Sequence, residues 1–187
     1  MKKSIYLFIL LNFFLALPLP ARKNTIEDIQ LNDSAFISEI QKHLPWGNIK
    51  IFNTSHGRFA AVYKDSLLSF VLSTADHSEL RGYKGYSNLL IFISSEGTVE
   101  RITFVDSDDT KPWVKRVLKS DILSALSMQN LDTQERPNYL VTGATVTSEV
   151  FSKSVKQTLE WFKNFYSNLE VQDPKFVIAD SLNIYNK

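Results

Sequence analysis

Cysteine is absent from the 187-residue sequence, and only two methionines are present. Without cysteine, the chain forms no disulfide and no thiolate site for zinc or an iron–sulfur cluster. Its three histidines, His43, His56 and His77, do not have the spacing of metal ligands. Neither sign of charge dominates, since 21 Lys and Arg residues are balanced by 20 Asp and Glu residues. These features argue against a metal site and against a nucleic-acid partner, which would need a basic field.

Catalytic signatures are missing as well. No Ser-His-Asp or Cys-His arrangement is recognisable, and no G-x-G-x-x-G motif is present for a dinucleotide. Two charged pairs, Asp108 with Asp109 and Lys115 with Arg116, are predicted to be solvated faces rather than acid–base groups. The chain therefore gives little support for an enzyme with its own acid–base machinery.

The N-terminus has the pattern of an export signal. Lys2 and Lys3 precede an apolar run from Ile5 to Leu17, and Pro and Ala residues follow. The run is short for a membrane span of about 20 residues, which favours a cleaved signal over an anchor. We therefore predict that residues 1–21 are a signal peptide or membrane anchor, and that residues 22–187 form a single domain outside the cytoplasm, periplasmic or on the outer face of the cytoplasmic membrane.

Short segments rich in Val, Ile, Phe and Tyr predict an antiparallel sheet. The expected strands are 49–53, 58–63, 67–73, 86–93 and 98–105. The apolar residues 176–178 could add a further edge strand. Apolar residues at helical spacing predict one or two helices over 24–44, a stripe over 113–126, and a long helix up to Tyr166. The second of the early helices is expected to be capped by Asp33 or Ser34. The fold class is therefore α+β, with helices packed on an antiparallel sheet.

The segment V-T-G-A-T-V-T-S, residues 141–148, precedes the long helix. Small residues allow close approach of the backbone, and Gly143 can adopt a left-handed conformation. The helix is expected to start at about Thr147 or Ser148, both suitable caps. Free N–H groups at such a helix start favour an anion, usually phosphate, which would lie beside Thr145.

At these residues the sequence resembles the FMN-binding domain family, which includes flavin subunits of the sodium-translocating NADH:quinone oxidoreductase and of Rnf-type complexes, and the flavin domain of NosR-type proteins. The family motif D-x-x-[ST]-G-A-[ST]-x-[ST]-S is matched except at its first position, where this chain has Tyr139. The resemblance extends upstream through R-G-Y-K-G-Y at 81–86 and D-S-D-D-T-K-P-W at 106–113, and it covers roughly 67–166.

The resemblance implies that this protein, whose N-terminus predicts export, carries FMN through a phosphoester bond on Thr145, made by a separate flavin transferase. It also implies electron transfer between membrane-associated redox proteins. The protein would then be an electron carrier rather than a free-standing enzyme. The implied phosphate site comprises Thr142, Gly143, Ala144, Thr147 and Ser148 with Thr145. The groups implied near the flavin ring are Gly82, Tyr83, Asp109 and Thr110.

Each of these residues also has a plainer interpretation. Thr145 can simply cap the helix, and Gly82 can belong to an ordinary turn before a strand. Asp109 or Thr110 before Lys111-Pro112 fits a helix cap, and Trp113 is expected in the core more often than on a flavin ring. The alternative function is a non-redox sensor or docking module that binds FMN reversibly or has lost it. A third hypothesis is a small flavin-dependent reductase, which would need room for a substrate beside the flavin ring.

Overall fold

A computed structural model of the chain describes residues 26–54, 57–65, 67–127, 129–133 and 138–169. The predicted signal or anchor at 1–21 and the predicted edge strand at 176–178 lie outside the described residues. Within the described part, no helix combines the length and apolar character needed to cross a membrane.

In the residues that the structure describes, five strands form one antiparallel sheet in sequence order. They are β1 (Asn48–Thr54), β2 (Gly57–Lys64), β3 (Leu67–Ser73), β4 (Ser87–Ser94) and β5 (Val99–Ser107). Each of these strands pairs with its sequence neighbours, so the sheet is a simple meander. The turn between β4 and β5 uses Gly97 at φ +78°, a left-handed conformation that glycine adopts without steric cost. The predicted strands and the α+β fold class are confirmed.

The described part of the chain has four α-helices that pack on the sheet: α1 (Asp33–His43), α2 (Lys111–Leu118), α3 (Ile122–Leu126) and α4 (Thr145–Leu169). Helix α1 is capped by Asn32, whose Oδ1 accepts a hydrogen bond from the Ala35 N–H at 2.9 Å, and not by Asp33 or Ser34 as predicted. Pro112 lies in the first turn of α2, as expected for a residue without an N–H.

The apolar stripe over 113–126 forms two helices, whereas the sequence pattern suggested a continuous one. The break is at Ser120, whose hydroxyl donates to the Val117 carbonyl at 2.6 Å. A serine that bonds to the preceding turn competes with the helical backbone, and the chain then restarts at Ile122.

The sheet separates two apolar clusters because alternate strand residues point to opposite faces. One face packs on α4, and its buried members include Phe70, Leu89, Ile91, Phe151, Leu159 and Phe162. The other face packs on α1, and its buried members are Phe36, Ile40, Ala60, Val62, Val71, Leu90 and Phe92. The core therefore lies on both sides of a central sheet, with α4 as the largest helix on one side.

Arg58 on β2 attaches the region around α1 to the sheet. Its guanidinium bonds to Asp33 at 2.7 Å, to the Leu31 carbonyl at 2.6 Å and to Asp76 at 3.0 Å. Burial raises the pKa of Asp76 above its ordinary value, although the charge of Arg58 opposes that rise.

Candidate functional site

Helix α4 begins at Thr145, ahead of the predicted start at Thr147 or Ser148. Its first hydrogen bond runs from the Ser148 N–H to the Ala144 carbonyl at 2.9 Å. Because the first N–H groups of a helix precede its hydrogen-bond ladder, those of Thr145, Val146 and Thr147 are left to other acceptors. The expected anion-favouring helix start is thus present, with Thr145 as its first residue.

The prediction failed at this boundary because both proposed caps are used elsewhere. The Ser148 hydroxyl accepts a hydrogen bond from the Val141 N–H and donates to the Thr145 carbonyl, both at 2.9 Å. It therefore ties the preceding loop to the first turn of the helix. The Thr147 hydroxyl points instead to Asp109.

Asp109 holds three separate segments together. Its side chain is buried, with 4% of its surface exposed. Oδ1 accepts hydrogen bonds from the backbone N–H groups of Lys84 at 2.8 Å and Thr110 at 2.7 Å, and Oδ2 accepts one from the Thr147 hydroxyl at 2.7 Å. The prediction of a solvated face was therefore wrong for Asp109. The cap interpretation does not hold for the Asp109 side chain either, since it accepts the N–H of Thr110, the residue before α2, rather than an N–H of the helix itself. Asp109 instead joins the loop at 81–86 to α4.

The glycines at 82 and 85 are required by this close packing. A Cβ at Gly82 would lie 2.2 Å from Asp109 Oδ2, and one at Gly85 would lie 2.6 Å from the Asp108 carbonyl carbon. The Gly82 N–H also donates to the Gly85 carbonyl at 2.8 Å, so an ordinary turn is present as well. Contact with Asp109 explains why that turn needs glycine at its first position.

Thr110 occupies the position before α2, but its side chain forms no capping hydrogen bond. Its Oγ1 atom is buried, and it has no hydrogen-bond partner among the described residues. Buried hydroxyls are normally paired, so this one has an unused capacity to bond a ligand. The cap interpretation thus applies to the Thr110 backbone and leaves its hydroxyl available.

Gly143 brings the loop before α4 against helix α2. It has φ +75°, and a Cβ there would lie 2.0 Å from Nη1 of Arg116. The same Nη1 donates to the Gly143 carbonyl at 3.3 Å. Arg116 therefore places a cation beside the start of α4. The sequence predicts Arg116 only as part of a solvated charged pair with Lys115. No local sequence pattern indicates that it contacts Gly143, which lies 27 residues further along the chain.

A cavity of about 150 Å³ lies at this helix start. It is lined by Tyr83, Trp113, Gly143, Ala144, Thr145, Val146 and Thr147. Tyr83 and Trp113 are 71% and 36% exposed, so the expectation that Trp113 lies in the core was wrong. Val146 was not singled out from the sequence. Nothing in the local sequence indicates that the Val146 side chain, which lies between hydroxyl residues of the motif, is exposed and lines the cavity.

The predicted site residues therefore occupy four kinds of position. Those that line the cavity are Tyr83, Gly143, Ala144, Thr145 and Thr147. Gly82, Asp109 and Ser148 fix the surrounding backbone through the contacts described above. Thr142 is exposed and lies outside the cavity lining, and Thr110 offers its buried hydroxyl.

The cavity combines an anion-favouring helix start with two aromatic side chains. Its lining residues include no carboxylate and no histidine. Such a site is suited to binding a phosphorylated aromatic molecule, because N–H groups bind phosphate and aromatic faces pack on flat rings. Its lining offers neither a carboxylate nor an imidazole as a general acid or base.

Comparison with known proteins agrees with this geometry. Residues 82–160 match the model of the FMN-binding domain family, a range that begins at the Gly82 turn and includes the loop before α4. No curated protein matches the chain. Residues 82–160 therefore belong to the FMN-binding domain family, and the chain is a flavin-binding protein.

Proposed function

We propose that the chain carries FMN covalently, through a phosphoester on Thr145, and serves as an exported electron carrier. The observation that carries the proposal is the position of Thr145. It is exposed, it is the first residue of a 25-residue helix, and it lines an aromatic-walled cavity. A phosphate bound there would meet the free N–H groups of the helix start, with Arg116 close by at Gly143.

The residues present fit the remainder of the cofactor. Tyr83 and Trp113 supply exposed aromatic faces, and the Thr110 hydroxyl supplies an unused hydrogen-bonding group. The cavity of about 150 Å³ is smaller than the ~300 Å³ at which small-molecule pockets usually begin. It would therefore hold only part of an FMN molecule, and the remainder would need exposed surface beside the cavity.

Attachment needs a separate flavin transferase. A threonine hydroxyl is a weak nucleophile without a base, and the cavity lining provides no carboxylate or imidazole to take its proton. Exposure of Thr145 suits access by another enzyme. We therefore propose the transferase as a maturation partner.

A covalent bond would give an exported protein a clear advantage. A micromolar non-covalent site is worth about 8 kcal/mol, and it would lose its cofactor on dilution. Bound FMN would supply reversible electron transfer, and the residues around Thr145 would orient the ring. The proposed electron donors and acceptors are membrane-associated redox proteins. Support for export comes from Lys2, Lys3 and the apolar run that follows them.

One observation favours the alternative of a module that binds FMN reversibly or not at all. Tyr139 stands where the family motif has Asp, and it packs partly buried against the apolar cluster under α4. Its carbonyl also accepts a hydrogen bond from the Ser152 hydroxyl at 3.1 Å. The position thus serves the core in this chain, and a transferase that requires the carboxylate would not recognise it.

Intact-mass measurement of the chain purified from the envelope of its own host tests the proposal. We expect a denatured protein that stays yellow and carries an added mass equal to FMN less water, mapped to the peptide containing Thr145. Protein expressed without a flavin transferase is the control and should lack that mass. An unmodified chain from cells with an active transferase would contradict covalent attachment and favour the reversible module.

Replacement of Gly143 by Ala should lower both stability and flavin content. The left-handed conformation costs a residue with a Cβ about 1–2 kcal/mol, and the Cβ would also displace Arg116. Gly97→Ala is the matched control, since Gly97 has φ +78° but its Cβ would lie at an ordinary 3.4 Å from Leu131. Urea unfolding should detect a loss in both variants, whereas covalent flavin should fall only in Gly143→Ala. Equal flavin content in the two variants would remove the Gly143 loop from the attachment site.

A further inference from the structure

A second cavity lies between helix α2 and the edge strand β5. Its volume is about 290 Å³. The residues that line this α2–β5 groove are Phe104, Ser107, Asp109, Lys111, Val114, Lys115, Leu118 and Lys119. None of them lines the cavity at Thr145, although Asp109 of the groove accepts a hydrogen bond from Thr147 of that cavity.

Three lysines form one side of the α2–β5 groove. Lys111, Lys115 and Lys119 are four residues apart, a spacing that places them one above another along a helix. All three are exposed, and none lies within salt-bridge distance of a carboxylate in the described part of the chain. The groove therefore concentrates positive charge in a chain whose net charge is only +1.

The other polar groups of the groove are already engaged. Both carboxylate oxygens of Asp109 accept the hydrogen bonds described above. The Ser107 hydroxyl donates to the Tyr86 carbonyl and accepts from the Asp109 N–H, both at 3.0 Å. The polar groups left for a ligand are thus the lysine ammonium groups, which only donate hydrogen bonds.

The rest of the lining is apolar. Phe104 and Leu118 are half-buried, and Val114 is buried, so their side chains form a wall beside the lysines. An apolar wall stabilises an apolar ligand body, and a row of unpaired cations stabilises a negative head. The volume is close to the lower limit of about 300 Å³ for small-molecule pockets, which favours a small ligand.

We propose that the α2–β5 groove binds a free amphiphilic carboxylate, such as a medium-chain aliphatic acid. The carboxylate is held by Lys111, Lys115 and Lys119, and the aliphatic body packs on Phe104, Val114 and Leu118. The proposal does not rest on covalent flavin, because neither the three lysines nor the three apolar residues that it names line the Thr145 cavity.

Isothermal titration calorimetry of the purified full chain tests the proposal. The probes are octanoate, octanol and octyltrimethylammonium, all below their micelle-forming concentrations. We expect saturable binding of octanoate with one ligand per chain, and no saturable binding of the other two. Lys115→Glu should weaken octanoate binding by about fivefold or more, because it removes one attraction and adds one repulsion. The control Lys64→Glu, at the exposed end of β2 and outside the groove, should change the affinity by less than about twofold.

Several results would overturn the groove proposal. They are no saturable octanoate binding, equal binding of octyltrimethylammonium, and an octanoate affinity that Lys115→Glu leaves unchanged. Binding to vesicles of phosphatidylglycerol without binding of free octanoate would instead identify α2 as a membrane-facing surface. The same titration on a Thr145→Ala chain separates this proposal from the flavin proposal, since octanoate binding should persist there.

Discussion

A Thr145→Ala chain should carry no covalent flavin when it is expressed beside an active flavin transferase. The substitution removes the only oxygen that the side chain offers for a phosphoester, while Ala keeps good helical propensity at the first position of α4. The expected effect is complete loss of the added mass, with a change in unfolding free energy of less than about 0.5 kcal/mol because the side chain is exposed. Intact mass and urea unfolding measure the two quantities on the same sample.

Two matched variants complete this test. Thr145→Ser keeps a hydroxyl at the same position and should retain part of the covalent flavin. Thr142→Ala removes a neighbouring hydroxyl that is exposed and outside the cavity lining, and it should retain flavin at the wild-type level. Undiminished covalent flavin in Thr145→Ala would show that another residue carries the bond, and peptide mapping would then identify it.

Asp109→Ala should cause the largest loss of stability among substitutions at the site. The change leaves the N–H groups of Lys84 and Thr110 and the hydroxyl of Thr147 without their common acceptor. A buried polar group left unpaired costs about 1–3 kcal/mol. Because the bonds to Lys84 and Thr110 are only partly buried, we expect a total loss at the lower end of the sum for three groups, about 3–5 kcal/mol. Urea unfolding gives this value, and flavin content should fall with it because the start of α4 is no longer held.

Asp109→Asn and Asp108→Ala are the controls for this prediction. The Asn carbonyl can accept both backbone N–H groups and its amide can donate to the Thr147 hydroxyl, so most of the stability should return. Asp108 has no side-chain hydrogen bond among the described contacts, and its replacement by Ala should cost less than about 0.5 kcal/mol. Equal unfolding free energies for Asp109→Ala and Asp108→Ala would refute the role of Asp109 as a shared acceptor.

The Asp109 contacts also show why the site was only partly predictable. The Thr147 hydroxyl and Asp109 are 38 residues apart in sequence, and the Lys84 N–H is 25 residues from Asp109. A pair of adjacent aspartates before a helix has the same local pattern whether it is solvated or buried. The local pattern therefore favoured solvent for both aspartates, while the packing of three loops buried one of them.

Trp113 and the start of α4 were mispredicted for related reasons. Apolar periodicity marks the residues of a short helix without giving the position of that helix on the sheet, so it placed Trp113 in the core instead of on the cavity. Both Thr147 and Ser148 are residue types that commonly cap helices. In the structure the Thr147 hydroxyl donates to Asp109 and the Ser148 hydroxyl accepts from Val141, and the helix begins earlier, at Thr145. In both cases a tertiary contact decided between locally acceptable alternatives.

The sequence by itself determined the strands, the α+β class, the loop before α4 and the resemblance to the FMN-binding family. These features depend on residue spacing of two or about 3.6 and on small residues in a short motif, which are local properties. Only the tertiary structure decided that Thr145 begins the helix and that Asp109 is the buried aspartate. It also decided that the lysines along α2 lie beside the apolar residues of the α2–β5 groove. Those outcomes depend on contacts between residues distant in sequence, whose geometry is fixed when the elements pack around a common core.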